Sequence, residues 1–340
     1  MRLPMLIAGA LIACPFSAAA QTEINVPSKA GWKHALTGTI FRSKLADIPR
    51  TAIKDNSDTE LDVAVHYEDA GVTLTVFLFR PALASLPIWF DRSESQIALA
   101  DMFGGVTPVG DPRMVTSPPG KVTGGMRRVY VPGKREIKST ALAIVPIGDW
   151  LLKIRMTSNA LDPAALDAKL EEVIKAIGWP ASVKEPNIAA PIAVCVDQLA
   201  YARKAKLKKP SMTDALLGAA LVGVVADKVE KGEQGTPIDW CREGEGNKSY
   251  GVYRDKGGSK AYTLALGDAG QIISVSPGIA LDGGSGGYML TLSQLDRTLV
   301  YPSFDRLPTP DAAFQAVSKT APVSSSARGG KDLTIGTPSK

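Results

Sequence analysis

The residues Gly283-Gly284-Ser285-Gly286-Gly287 fit the G-x-S-x-G spacing. In that pattern a strained turn between a strand and a helix lifts a serine hydroxyl to where a histidine can take its proton. Ser285 is the candidate nucleophile this implies. The residues after it, Tyr288-Met289-Leu290-Thr291-Leu292, read as strand rather than helix, so the context favours a glycine-rich hairpin connection over catalysis. The chain has two histidines, His34 and His66, and this scarcity weighs against triad hydrolysis, histidine-rich metal sites and common proton shuttles together. By alternation His66 shares a strand face with Asp62, Ala64 and Glu68. That places a histidine beside carboxylates, or on the solvated polar face that is the default for an antiparallel sheet. His34, next to Trp32 and Lys33, has no partner visible in the sequence.

Carboxylate pairs are scattered: Asp55 with Asp58, Glu171 with Glu172, and Glu243 with Glu245. None flanks an evident cleft as a glycosidase requires. Walker, Rossmann and haem-attachment motifs are lacking, so the sequence implies neither cofactor nor metal. Of three cysteines, Cys14 lies in the leader described below, which leaves Cys195 and Cys241 to pair in an oxidising compartment. The densest charge feature is Arg203, Lys204, Lys206, Lys208 and Lys209. Near a helix C-terminus these cations need no ligand. The functional alternative is an anionic membrane surface or an acidic envelope partner. Nucleic acid is disfavoured, because only Tyr201 offers an aromatic face nearby.

Arg2, an apolar run to Ala13 and the small residues Ser17 to Ala20 before Gln21 read as an export signal over 1–20, cut after Ala20. A competing signal, Leu11-Ile12-Ala13-Cys14, would leave a lipidated Cys14; Pro15 directly after it argues against that processing. Either route predicts a periplasmic, secreted or membrane-tethered protein. Losing the leader takes the net charge from +5 to +4, short of the basic footprint of a dedicated nucleic-acid binder.

The length suggests two domains, 22–180 and 193–318, joined by a proline-rich linker at 181–192 and followed by a disordered tail at 319–340. In the first, 61–67 and 72–80 read as a hairpin, and 126–131, 140–145 and 150–157 as strands. In the last of these Trp150, Leu152, Ile154 and Met156 point one way, with Lys153, Arg155 and Thr157 toward solvent. Helices are expected at 92–103, with Asp91 as cap and Glu94 completing a capping box, and at 163–177, with Asp162 as cap. The second domain is expected to open with a helical hairpin, a basic helix in 193–209 and an apolar one over 212–229, the latter being either core or an interaction surface. A β-meander over 249–254, 260–266, 271–276 and 288–301 and a short helix at 311–318 follow.

The fold class this implies is α+β: an antiparallel sheet covered by helices, then a smaller helix-plus-meander domain. In layout, the strand and closing helix over 149–179 make residues 31–180 resemble the PsbP-like α+β sandwich. Such folds serve mostly as accessory or binding modules, and the resemblance implies that role here. The expected function is that of an exported, non-catalytic binding or accessory protein of the cell envelope. The alternatives are an exported serine hydrolase using Ser285 and a lipid-anchored or membrane-surface protein.

Overall fold

The computed structural model describes residues 21–116, 123–181, 189–209, 238–258, 260–278, 286–328 and 333–335. Residues 1–20, read as a leader and containing Cys14, the apolar stretch 212–229 and Ser285 lie outside them. Strand accounts for 42% of the structure and helix for 14%, in two large antiparallel sheets and three short helices among the described residues. The chain is therefore mostly β, and the expected helix-covered α+β sandwich is corrected.

The first sheet contains β1 (Thr22–Glu23), β4 (Lys44–Leu45), β5 (Ile48–Asp55), β6 (Asp62–Asp69), β7 (Val72–Phe79), β8 (Val106–Pro108), β9 (Arg113–Thr116), β10 (Thr123–Pro132), β11 (Ser139–Ile147) and β12 (Trp150–Ser158); β2 (Trp32–Lys33) and β3 (Ile40–Phe41) pair separately. Its order is β1-β5-β6-β7-β12-β11-β10-β8, with β4 on β5 and β9 on β10. The β6–β7 hairpin forms where alternation and the turn at 70–71 place it. Trp150, Leu152, Ile154 and Met156 enter the core beneath α2 (Pro163–Ala176). That helix starts where Asp162 accepts from the Ala165 amide at 2.9 Å and proline takes the first turn, and it buries Leu166, Leu170, Val173 and Ile174.

The opposite face is not solvated. Lys153 is 3% exposed, because α1 (Leu86–Ala98) and the second sheet cover that side. Alternation reports which residues share a face and not what covers it.

The second sheet is a meander of β13 (Ala193–Val194), β14 (Trp240–Arg242), β15 (Tyr250–Asp255), β16 (Tyr262–Leu266), β17 (Gln271–Pro277), β18 (Tyr288–Ser293), β19 (Arg297–Phe304), β20 (Ser324–Ala327) and β21 (Leu333–Ile335), in sequence order. All its pairs are antiparallel except β13 with β14. The segment expected as one strand from 288 to 301 is two, split at 294–296. Helix α3 (Pro310–Lys319), capped by Thr309, covers one face of this sheet. The other face contributes Tyr253, Ala265 and Ile272 to a core shared with Phe79, Trp89, Leu142 and Ile144 of the first half. Apolar packing thus runs continuously from one sheet to the other.

Two further expectations are corrected here. No helix forms over 193–209: β13 pairs with β14, Cys195 is bonded to Cys241, and the segment then runs beside β19 through Ala202 N–H to Leu307 O, Asp305 N–H to Lys206 O and Lys208 N–H to Ser303 O. These tertiary bonds outcompete an intrinsic helix preference that carries little weight in so short a segment. The tail is ordered at 319–328 and 333–335, where β20 extends the sheet from β19 and Arg328 donates to the Pro81 carbonyl at 2.7 Å. Strand addition draws on backbone groups, so a Ser-rich composition hides it.

Candidate functional site

Asp91, Arg92, Tyr253, Lys153 and Asp268, all with shifted pKa values, collect where the sheets meet, and α1 runs through that seam. Leu86, Ile88, Trp89, Phe90, Asp91, Arg92 and Ser93 are all buried, which requires cover on every side of the helix's first two turns. The capping box expected at 91–94 is therefore corrected. The helix begins at Leu86 with proline in its first turn, and Asp91 sits inside it. The Asp91 carboxylate accepts from the Arg242 guanidinium at 2.7 Å and from the Tyr253 hydroxyl at 2.7 Å. Burial raises its pKa, against the pull of Arg242 and Tyr253. Arg92, fully buried, donates to the Lys248 carbonyl at 3.1 Å, Gln96 donates to the same oxygen at 3.0 Å, and Lys248 reaches Asp101 at 2.9 Å. Glu94 accepts from Tyr130 at 2.8 Å and Arg128 at 3.1 Å.

A second charged knot lies on β12. Pairing aligns Ala64, Phe77 and Lys153 across three strands, and Lys153 Nζ stands 4.5 Å from the centre of the Phe77 ring. That ammonium makes an ion pair with the Asp268 carboxylate at 2.9 Å and donates to the Asp268 carbonyl at 3.0 Å. Asp268 belongs to the β16–β17 turn. Two residues on, Gly270 accepts from the Ala82 amide at 2.7 Å at a φ of +79°, which disfavours a side chain, and a Cβ there would lie 3.0 Å from Phe79 and Leu295. Desolvation lowers the Lys153 pKa, opposed by Asp268. Burial works to raise the Asp268 carboxyl, but Lys153 and Arg155 outweigh it and hold it at about 2. Asp62 shares the seam, where burial outweighs Lys153 and lifts it to about 6.

The two acids load stability in opposite directions. Asp268, depressed, contributes stability above about pH 4 that is lost as pH falls toward 2. Asp62, raised, is best tolerated below about pH 4, and stability is lost as pH rises through 6 and it ionises. Asp62→Asn should accordingly stabilise the protein by about 1 kcal/mol or more at pH 7.5 and have little effect at pH 4, read from urea midpoints. Equal effects at both values would show that Asp62 titrates as an ordinary surface acid.

Among the sequence candidates, Cys195 and Cys241 are joined, with Cys241 buried. His34 is buried, with Nδ1 2.9 Å from Thr37 Oγ1, Nε2 2.9 Å from the Glu60 carbonyl and its ring edge-on to Trp150, which makes it a packing residue. His66 meets Thr75 Oγ1 at 3.2 Å rather than a carboxylate, and burial followed by the Lys54 charge lowers its pKa. The described part of the G-x-S-x-G string, Gly286 and Gly287, leads into strand β18, not the helix a nucleophile elbow needs. Arg203, Lys204, Lys206 and Lys209 are exposed on the stretch beside β19, and Lys208 is half-buried with Nζ 3.4 Å from the Gly286 carbonyl. Among the described residues no group of three or more His, Cys, Asp or Glu could hold a metal, and no helix is long and apolar enough to cross a membrane.

No family model, curated protein or solved structure matches this chain. None of the comparisons bears on the resemblance of 31–180 to the PsbP-like sandwich.

Two open clefts complete the picture. One, of about 550 Å³, lies between β10 and the start of α2. Three of its charged residues are paired: Asp167 binds Arg113 at 2.7 Å and Arg127 at 3.0 Å, and Arg127 also pairs with Glu171. The other, of about 560 Å³, lies between α3 and the second sheet. Asp91, Arg92, Arg242, Tyr253, Lys153 and Asp268 escape sequence reasoning because each partner is distant; Asp91 and Arg242 are 151 residues apart.

Proposed function

We propose that the protein is an exported, non-catalytic binding or accessory module of the cell envelope. The observation that carries this reading is the use of its buried polar groups: Asp91 is tied to Arg242 and Tyr253, and Lys153 to Asp268, across the contact between the sheets, where they fasten the fold. The leader read at 1–20 and the Cys195–Cys241 bond support export. The rival hydrolase is tested by labelling with a fluorophosphonate. The expected result is no label on the wild-type chain; labelling that disappears in Ser285→Ala would establish the hydrolase instead.

A second reading, attachment to a membrane surface, is favoured by the exposed cations Arg203, Lys204, Lys206 and Lys209, with exposed Arg306 following in sequence the Asp305 that bonds Lys206. Sedimentation with phosphatidylglycerol vesicles tests it. If these side chains face the bilayer, each change to glutamine lowers the partition about five-fold, roughly 1 kcal/mol per cation, and salt abolishes binding. Retention in native membranes that ignores both charge and salt would point to lipidation at Cys14.

A further inference from the structure

The cleft between α3 and the second sheet is built differently from its charged counterpart. Leu292, Leu299, Val317, Ala321 and Pro322 supply its apolar lining, and Gln271, Gln294, Ser318 and Thr320 are polar. Tyr301 lines it at 6% exposure, and burial alone raises its hydroxyl's pKa, so the group stays a hydrogen-bond donor at neutral pH. Lys319 is the one charged residue in the lining; it is exposed and makes no ion pair among the described residues. The volume, about 560 Å³, falls within the roughly 300–1,000 Å³ typical of small-molecule sites, which combine apolar walls with a few polar groups that fix orientation.

We infer that this cleft binds a small amphipathic anion, a carboxylic acid whose apolar body rests on Leu292, Leu299 and Val317 while its carboxylate meets Lys319 and the Tyr301 hydroxyl. The absence of any acid from the lining and its single cation, exposed Lys319, select an anion over a cation. The inference deepens the binding-module reading and rests on it for its biological meaning, but its test needs no envelope.

Calorimetric titration of the full chain with decanoate, decanol and decylamine reads the site directly. Decanoate should saturate one site, and decylamine should not. Lys319→Gln, at an exposed position that leaves folding intact, should weaken decanoate about five-fold and leave decanol unchanged; Tyr301→Phe should weaken both by about as much. Lack of saturable decanoate binding, equal binding of decylamine, or indifference to both substitutions would overturn the inference. Decanoate binding by a chain that proves cytoplasmic would keep the cleft and remove the envelope role, so the two failures are separable.

Discussion

Asp268→Asn should destabilise the fold by about 3–5 kcal/mol, the cost of leaving a buried charge without its partner. Lys153 is 3% exposed, enclosed by Phe77 and Phe79, and its ammonium meets the Asp268 carboxylate at 2.9 Å. Once that carboxylate is gone, Lys153 must either remain charged and buried without its ion-pair partner or give up its proton, and both cost free energy at pH 7. Lys153→Met together with Asp268→Asn should cost clearly less than Asp268→Asn alone, because the unpaired charge disappears with its partner. Urea denaturation of the two single variants and the double variant closes the cycle. A loss below about 1 kcal/mol for Asp268→Asn would mean that Lys153 reaches solvent and that the seam is looser than its geometry implies.

Replacing Cys195 and Cys241 together with alanine should lower stability by about 4 kcal/mol, from the loop-closure entropy of the bridged segment. The bond closes a separation of 46 residues and fixes β13 beside β14, the only parallel pair of the second sheet among the described residues. It also anchors the start of the stretch that carries Arg203 to Lys209, so its loss should expose that stretch to proteolysis before the rest of the chain. Thermal denaturation with and without reductant, paired with limited proteolysis, checks both expectations. Equal stability in the two redox states would show that β-pairing alone holds the segment.

The parts of the fold legible in the sequence are those whose signals are local. Asp162 before Pro163 announces α2, the alternation of Trp150 to Thr157 announces β12, and the turn at 70–71 announces the β6–β7 hairpin. Local signals also mislead. Asp91 and Glu94 have capping-box spacing, but those carboxylates serve Arg242, Tyr253, Tyr130 and Arg128. The apolar run Leu86–Phe90 just before them was the available clue, since a helix lying on one sheet needs one apolar stripe and this stretch is buried all round. Lys153 read as solvent-facing for the same reason: alternation names a face and leaves its cover unstated. The extended path of 193–209 and the strand at 324–327 depend on bonds to β14 and β19, which lie far along the chain or belong to the backbone alone. Of the candidate chemistry, the cysteine pair was legible because only two cysteines follow residues 1–20. The seam and the α3 cleft were not, because they are assembled from residues without a shared motif.

The proposal of an exported protein is tested most directly by the intact mass of the chain recovered from its native envelope fraction, measured before and after reduction. The expected result is a chain beginning at Gln21 that gains the mass of two hydrogens on reduction, as the Cys195–Cys241 bond opens. A chain that retains Met1, partitions with the cytoplasm and carries free thiols would contradict it.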